Sequence, residues 1–437
     1  VYMEGNPETI PLGLVAQITM GQSPKGATYN RTRVGIPLLN GPTEFGPKSP
    51  KPAVWTKEPT RLCEPGDLLF CVRGSTTGRM NWADQKYCLG RGVASFRARS
   101  GQMDTCFIYY ALINDLERLL AFCVGSVFPS LSKSDFENFE IAWPDRTTRK
   151  AIAAILGALD DKIEINRRMN QTLEAMARAI FMSWFVDFDP VYSKADGCQP
   201  SGIDSETATV FPDIFEDSPL GPIPKGWLVA PLGEYVEVIK GLSYKGAGLA
   251  DEGVPLHNLN SIYEGGSYKH EGIKFYTGEY RDRHVVRPGD VIVANTEQGF
   301  DYLLIGFPAV IPRRFGSMGL FSHHLFCVRP LTNSPIISYF IYLLLIDQRF
   351  RDEVTGYTNG TTVNMLREDG LKRPLFAFPP AEVIKRFQKI VTPLFEKAEQ
   401  CLEESRTLAV TRDALLPKLL SGEIRVTDSE KLLKGLV

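Results

Sequence analysis

The amino-acid sequence contains an internal duplication, and this duplication limits the possible folds more than any other feature. The run Gly21–Ala27 recurs as Gly241–Ala247, and a Leu-Gly pair precedes each run. Pro65–Asp67 and Pro288–Asp290 both precede short apolar runs, the pattern of a turn that enters a buried strand. Further matches follow in the same order: Gly35–Asn40 with Gly253–Asn258, Phe96–Arg97 with Val328–Arg329, and Phe107–Tyr109 with Phe340–Tyr342. The chain therefore consists of two copies of one unit.

Each copy continues into a long segment whose apolar residues recur every three or four positions, as on one face of an amphipathic helix. Roughly 35 residues at about 1.5 Å each would form a helix of about 50 Å. Such a helix cannot bury its apolar seam against a small domain, so we expect the two long helices to pack together. Polar residues within the seam, Asn166, Asn170 and Ser405, would then fix the register. The predicted seam consists of Ile152, Leu156, Leu159, Ile163, Leu173 and Ile180 in the first helix and Phe387, Val391, Leu394, Leu408, Leu415 and Leu419 in the second.

These patterns predict an α+β fold in which two pseudo-repeated, β-rich mixed α/β modules are joined by two long helices. Within each module, turn residues and short β-branched or aromatic runs predict mostly strands, with one helix near 107–120 and its counterpart near 336–350. The predicted segments are a first module at 1–145, a first long helix at 146–186, an acidic Pro/Gly linker at 187–225, a second module at 226–380, a second long helix at 381–422 and a tail at 423–437.

The composition is that of a globular protein, with 43% hydrophobic and 11% aromatic residues. No apolar run approaches the roughly 18 residues that cross a bilayer, and the N-terminus lacks the layout of a signal peptide. The 8 cysteines form no CxxC pair and no zinc-spaced cluster with histidine. We therefore expect a cytoplasmic, thiol-reduced protein with no structural metal and no membrane contact.

Motifs for catalysis are incomplete in this sequence. Asp189–Tyr192 is similar to the base-holding motif of amino-methyltransferases, but the second proline is absent and no glycine-rich cofactor loop lies nearby. Gly41–Lys48 almost matches a phosphate-binding loop, but Pro47 lacks the N–H that such a loop needs. The adjacent pair His323 and His324 would point in different directions on a strand. These gaps favour a protein that binds over one that catalyses.

The net charge of -2 conceals large local differences. Residues 21–99 contain 13 Lys or Arg against 5 Asp or Glu, and aromatic side chains lie among them. This pattern predicts a nucleic-acid face, although such charges also occur on ordinary solvated surfaces. The loop 73–79 is polar, flanked by glycine and directly follows a predicted strand, which suits close approach to a duplex. The predicted DNA-binding residues of the first module are Lys25, Tyr29, Arg31, Arg33, Asn40, Arg73, Ser75, Thr76, Thr77 and Arg79.

The second module keeps the predicted scaffold without the positive charge, since residues 226–329 contain 10 Lys or Arg and 11 Asp or Glu. Its equivalent loop, 295–299, is polar but not basic. Two modules that read different DNA sequences would differ in this way, and so would one binding module with a degenerate copy; we favour the former. The predicted DNA-binding residues of the second module are Lys245, Asn258, Asn295, Thr296, Gln298, Arg313 and Arg314.

With these features together, the sequence resembles the DNA specificity (S) subunits of type I restriction-modification systems over essentially its whole length. The resemblance rests on the duplicated layout and on local runs at Pro65–Phe70, Gly125–Asp135, Ile155–Asn170 and Leu416–Ile424. The pattern is weaker in the second copy, where Gly360–Leu366 stands in place of the corresponding run of the first copy.

The resemblance implies two target recognition domains, each reading one half of a split site in double-stranded DNA. The long helices would form an antiparallel coiled coil that sets the separation of the two domains. It also implies a non-catalytic subunit without a cofactor of its own: two methyltransferase subunits would bring S-adenosylmethionine, and a restriction subunit would bring ATP and Mg²⁺. Two alternatives stay open, namely a self-contained methyltransferase or restriction enzyme, and a coiled-coil scaffold that binds proteins.

Overall fold

The computed structural model describes residues 8–123, 129–299, 301–360 and 363–426. The chain forms two compact units, the first from Val1–Asn166 and Glu404–Val437 and the second from Arg167–Glu403. Each unit therefore contains one module together with a part of each long helix. Parts of the sequence runs Gly125–Asp135 and Gly360–Leu366, and most of the predicted tail, lie outside the described residues.

The strands described in the first module form three sheets. A four-stranded sheet has the order β2-β10-β7-β8, a five-stranded sheet has the order β3-β5-β4-β9-β6 with β4 and β9 parallel, and β1 pairs with β11. The strands are β1 (Thr9–Pro11), β2 (Ala16–Met20), β3 (Tyr29–Asn30), β4 (Ile36–Leu39), β5 (Val54–Thr56), β6 (Leu62–Cys63), β7 (Leu68–Cys71), β8 (Met80–Trp82), β9 (Tyr87–Leu89), β10 (Val93–Ala98) and β11 (Glu140–Ala142).

Helices pack on the four-stranded sheet of the first module, and the core lies between the two layers. Phe107 on one of these helices, Phe70 on β7 and Phe96 on β10 have no exposed surface, since apolar residues at these positions meet between the two layers. The helix predicted at 107–120 is two helices, because the backbone leaves the helical conformation at Asp115 (φ −101°, ψ 15°). The helices are α1 (Leu12–Val15), α2 (Gln102–Asn114), α3 (Leu116–Leu120), α4 (Lys133–Glu137) and the long helix α5 (Arg146–Phe185).

The second module repeats the sheet topology of the first, as the duplicated sequence predicts. The strands β12 (Phe215–Glu216) and β13 (Ile223–Pro224) lie in the predicted linker. The strands of the module are β14 (Leu228–Pro231), β15 (Val236–Lys240), β16 (Leu249–Ala250), β17 (Val254–His257), β18 (Lys274–Tyr276), β19 (Val285–Val286), β20 (Val291–Ala294), β21 (Thr296–Gln298), β22 (Pro308–Val310), β23 (Gly319–Phe321), β24 (Leu325–Pro330), β25 (Thr358–Asn359), β26 (Val363–Leu366) and β27 (Leu375–Phe378). The orders β15-β24-β20-β22 and β16-β18-β17-β23-β19, with β17 and β23 parallel, match those of the first module strand for strand. The three-stranded sheet β21-β26-β25 has no counterpart among the sheets described in the first module.

The second unit differs from the sequence prediction in a divided helix and in a folded linker. The helix predicted at 336–350 is interrupted at Asp347, whose carboxylate accepts a hydrogen bond from the N–H of Phe350 at 3.0 Å and so starts a new helix. The predicted linker is folded, with Val191, Phe211 and Ile223 buried in the core of this unit. The helices are α6 (Asp189–Ala195), α7 (Ser205–Ala208), α8 (Ser338–Ile346), α9 (Gln348–Thr355), α10 (Asp369–Lys372) and the long helix α11 (Ala381–Leu420).

The long helices α5 and α11 pack against each other in antiparallel orientation. Within the first unit, Asp160 lies 2.5 Å from the guanidinium of Arg412, and the amide of Asn166 donates to Glu404 at 2.9 Å. Residue numbers on α11 therefore decrease as those on α5 increase. The α+β fold with two long antiparallel helices is thus confirmed. None of the helices in the described ranges combines the length and apolar character needed to span a membrane.

The predicted seam residues lie on the buried faces of α5 and α11. Among the predicted seam residues, Ile163, Ile180, Leu394 and Leu408 are half-buried, and the other eight are buried. In the second unit the ring of Phe387 packs edge-on against that of Phe185, with centroids 4.9 Å apart. Burial of such aromatic and aliphatic side chains is the main stabilising contribution to helix pairing.

Candidate nucleic-acid interface

Both modules hold a central turn with the same ion pair. In the first module the carboxylate of Asp67 accepts from the guanidinium of Arg97 at 2.6 and 2.9 Å. In the second, Asp290 accepts from Arg329 at 3.0 and 2.6 Å. In both, the carboxylate also accepts a backbone N–H three residues earlier in the chain. These bidentate bonds are directional, and they fix the turns from which β7 and β20 lead to the candidate loops.

The loop after β7 in the first module, residues 73–79, is a tight turn with a fixed backbone. The N–H of Gly74 donates to the carbonyl of Pro129 at 3.0 Å, and the hydroxyl of Thr77 donates to the carbonyl of Gly74 at 2.7 Å. Gly74 and Gly78 have φ of 92° and 97°, which favours glycine. A loop anchored in this way holds the backbone positions of its exposed side chains.

Most of the predicted DNA-binding residues of the first module lie on its surface. Arg79 combines surface exposure with a structural role, since its guanidinium donates to the carbonyls of Pro42 and Phe45 at 3.2 and 2.9 Å. The guanidinium of Arg33 stacks 5.7 Å from the ring of Trp55. Half-buried residues are Tyr29 and Thr77; exposed residues are Lys25, Arg31, Arg33, Asn40, Arg73, Ser75, Thr76 and Arg79.

The equivalent loop of the second module is built differently. Asn295 and Thr296 are buried, with 1% and 6% of their surface exposed, and they bond to each other at 2.7 Å. The carboxylate of Glu297 accepts the backbone N–H groups of residues 303–305 at 2.8–3.0 Å. These side chains stabilise the loop in this conformation, whereas Gln298 is exposed.

The other predicted residues of the second module fall into two groups. Lys245 is exposed, but Asn258 is 8% exposed and its side chain accepts a hydrogen bond from the N–H of Asn260 at 2.9 Å. Arg313 is exposed and lies 3.3 Å from Glu399 of α11. Arg314 is half-buried, with its guanidinium 4.8 Å from the ring of Phe315. The structure therefore does not gather these residues on one loop.

A set of bonds that the sequence patterns did not indicate joins each module to α5. In the first unit the hydroxyl of Tyr110 donates to Asp160 at 2.6 Å. In the second unit Tyr342 and Arg178 donate to Glu174 at 2.6 and 2.7 Å. Burial alone would raise the pKa of Glu174, but the hydrogen bonds and charge of these partners outweigh it and lower the pKa. The partners are 50 and 168 residues apart in sequence, so no local pattern could reveal them.

The near-miss motifs of the sequence lie in short helices and turns. Asp189–Tyr192 forms the start of the short helix α6, and Gly41–Lys48 contains a turn of 3₁₀ helix. The rings of His323 and His324 lie with centroids 3.9 Å apart. Within the described ranges, no three His, Cys, Asp or Glu side chains come together where they could hold a metal ion.

Comparison with known proteins finds similarity to one family. The family model described as type I restriction modification DNA specificity domain matches residues 9–175. The MjaX specificity subunit of Methanocaldococcus jannaschii is 35% identical over 164 residues, which is 38% of this chain and 38% of that protein. The type I restriction enzyme MjaIX specificity subunit of the same organism is 26% identical over 70% of this chain and 65% of its own length. The chain thus aligns with less than two thirds of either relative.

A solved structure agrees with the fold. The crystal structure of the S subunit of a type I restriction-modification system from M. genitalium has a TM-score of 0.55 with this chain. The alignment covers 96% of this chain and 98% of that one, at 18% sequence identity. The resemblance that the sequence motifs indicated is confirmed by these comparisons.

Proposed function

The chain is related to the specificity subunits of type I restriction-modification systems, and from this premise we propose that it selects the DNA sequence on which such a complex acts. The proposal rests on one observation: the two modules share a fold but differ in their surface residues. Both modules keep the same sheet orders and the same Asp–Arg pair. The loops after β7 and β20, in contrast, present different side chains. Readers of two different half-sites need this combination of a shared scaffold and divergent contacts.

In this proposal each module reads one half of a bipartite site in double-stranded DNA, and the long helices set the spacer between the halves. Each helix has 40 residues, or about 60 Å at 1.5 Å per residue. That length exceeds one duplex turn of about 34 Å. The exposed basic residues of the first module would contact phosphates and base edges there.

The chain itself carries no catalytic step in this proposal. Flipping and methylating a base needs a pocket and a cofactor, which we assign to two methyltransferase subunits that bring S-adenosylmethionine. A restriction subunit would bring ATP and Mg²⁺, and the complex would act in the cytoplasm. The long helices leave apolar side chains exposed, including Ile165, Met176 and Val410. Exposed apolar side chains of this kind support a docking role for the helices.

Mapping methylated adenines in the host genome tests the proposal. We expect one bipartite motif with a fixed gap, and this motif disappears when the gene for this chain is deleted. A continuous motif, or a motif that survives the deletion, would contradict the proposal. Isothermal titration of the chain with S-adenosylmethionine distinguishes this proposal from a self-contained methyltransferase. Such an enzyme binds the cofactor, and a specificity subunit does not.

The spacer role has its own test. Removing one helical turn from both α5 and α11 should change the gap between the half-sites and leave their sequences unaltered. An unchanged gap in the methylated motif would show that the helices do not set it.

A further inference from the structure

The three-stranded sheet β21-β26-β25 of the second module presents one face to solvent. Gln298 pairs directly with Val363, and Asn359 pairs directly with Met365. Residues opposite each other, and residues two apart on one strand, lie on the same side of a sheet. Val363 and Met365 are 41% and 45% exposed, and Gln298 and Asn359 are also exposed. Two amides and two apolar side chains therefore share one accessible face, which ends at the buried side chain of Thr296 opposite Met365.

The opposite face of this sheet is buried and fixes the register. Asn364 and Leu366 are 2% and 4% exposed, and the amide of Asn364 donates to the carbonyl of Gly299. A slip of one residue would move these side chains into solvent and bury Val363 and Met365, so the register is strongly specified. The accessible face is consequently a rigid surface.

A cation lies at the end of the same face. Arg367 follows β26 directly and lies two residues after Met365, and its N–H donates to the carbonyl of Tyr357 at 3.4 Å, which continues the pairing with β25. Its side chain is exposed. We name the set Gln298, Asn359, Val363, Met365 and Arg367 the amide strip.

We propose that the amide strip reads A·T base pairs in the major groove of the half-site bound by the second module. This inference rests on the proposed function and names the residues that give it specificity. A carboxamide forms two hydrogen bonds with N6 and N7 of adenine, and apolar side chains contact the methyl group of thymine. Strands are known to enter the major groove as β-ribbons. Arg367 meets a phosphate and positions the strip.

The first module supports DNA as the occupant of this face. The carbonyl of Val72 accepts from the N–H of Leu131 at 3.0 Å, just as the carbonyl of Asn295 accepts from the N–H of Leu366 at 2.8 Å. Arg73, which pairs with Ser130, therefore corresponds to Thr296, and Ser130 corresponds to Met365 of the amide strip. An arginine there suits guanine, whereas the amide strip suits adenine and thymine. The surface around one equivalent strand pair would thus carry base readout in both modules.

The test is selection of binding sites from a library of random DNA duplexes at low salt, using the full chain. For Asn359→Ala and Gln298→Ala, we expect the preference for A·T at one or two positions of a single half-site to fall roughly tenfold, an effect typical of one lost bidentate contact. The other half-site and the gap stay unchanged. Arg367→Ala should weaken binding about equally for all sequences and reduce the salt dependence.

Arg73→Ala is the matched control, because it should change only the other half-site. All these side chains are exposed, so melting temperatures should stay close to that of the parent chain. Unchanged base preferences in both amide variants would overturn the proposal. If these variants also lost binding to the methyltransferase subunit, the strip would be a protein-docking face instead. If the unaltered chain selects no bipartite site at all, the proposed function itself fails.

Discussion

The two modules place an Asp–Arg pair at the same turn and order their strands alike, yet their surfaces differ in chemical character. The first module exposes arginines around the loop 73–79, and the second exposes amides and apolar side chains on β21, β25 and β26. Residues that fix the backbone are the ones the copies share, as in Asp67 and Asp290. The copies diverge in the loops that follow β7 and β20. The duplication therefore keeps a shared scaffold while these loops change.

The modules also differ in how they join their cores to the helices. In the first unit the guanidinium of Arg149 at the start of α5 donates to Asp104 at 3.0 and 3.3 Å, and both residues are buried. The aligned positions of the second module hold Ile337 and Ile384, which pack in its core. One copy thus uses a buried ion pair where the other uses an apolar contact.

Breaking the buried ion pair of the first unit should change stability more than any other substitution considered below. Asp104→Ala should destabilise the first unit by about 3–5 kcal/mol, because it leaves the charge of Arg149 buried without its partner. The double variant Asp104→Ile with Arg149→Ile imitates the second module and should recover most of that stability. Denaturant unfolding of the full chain measures both. A double variant as unstable as the single one would show that the two joints are not equivalent.

The second prediction concerns histidine, since all 5 histidines of the chain lie in the second module. Burial lowers the pKa of His257 to about 3, and burial also lowers the pKa of His270, to about 4. Because these values lie below the unfolded value of about 6.5, the unfolded state takes up protons first as the pH falls. The stability is therefore complete above about pH 6.5 and is lost progressively between about pH 6.5 and 3.

At pH 5, His257 alone should reduce the stability of the second unit by about 2 kcal/mol relative to pH 7.5. The first module contains no histidine and should lose much less over the same range. Hydrogen exchange at the two pH values, followed by mass spectrometry, measures each module separately. Equal loss of protection in both modules would contradict this difference.

A smaller loss of stability is expected for the tyrosines whose hydroxyls form hydrogen bonds with α5. Tyr110→Phe and Tyr342→Phe each remove a hydrogen bond to a carboxylate and should cost about 1.5 kcal/mol. Glu174 keeps its bonds to Arg178 and Ser267, and Asp160 keeps its bond to Arg412. The two variants should therefore behave alike in thermal unfolding. A much larger loss for one of them would show that its module depends on this joint more strongly.

Much of the fold follows from local patterns in the sequence. The duplicated turns, the seam of α5 and α11 and the buried strand after Asp67 all depend on residues close together in the chain, where turn propensity and helical periodicity act. Breaks in helices are harder to see: Asp347 ends one helix and caps the next, but an aspartate within an apolar run is not by itself a stop signal.

The candidate site is less predictable because it depends on pairing between distant segments. Gln298 was identified from its loop, but Val363 and Met365 join it only through the pairing of β21 with β26. The alternation of Val363, Asn364, Met365 and Leu366 was a possible signal for a strand, although apolar residues on both faces obscured which side is exposed. Asn295 and Thr296, in contrast, have the polar character of contact residues and prove to be buried.

In the proposed function, one chain holds two independent readers of DNA. This independence can be tested by exchanging residues 25–99 for the same region of a relative and selecting bound sequences from random duplexes. We expect one half-site to change to that of the relative, while the other half-site and the gap stay as they were. A change in both half-sites, or in the gap, would contradict it.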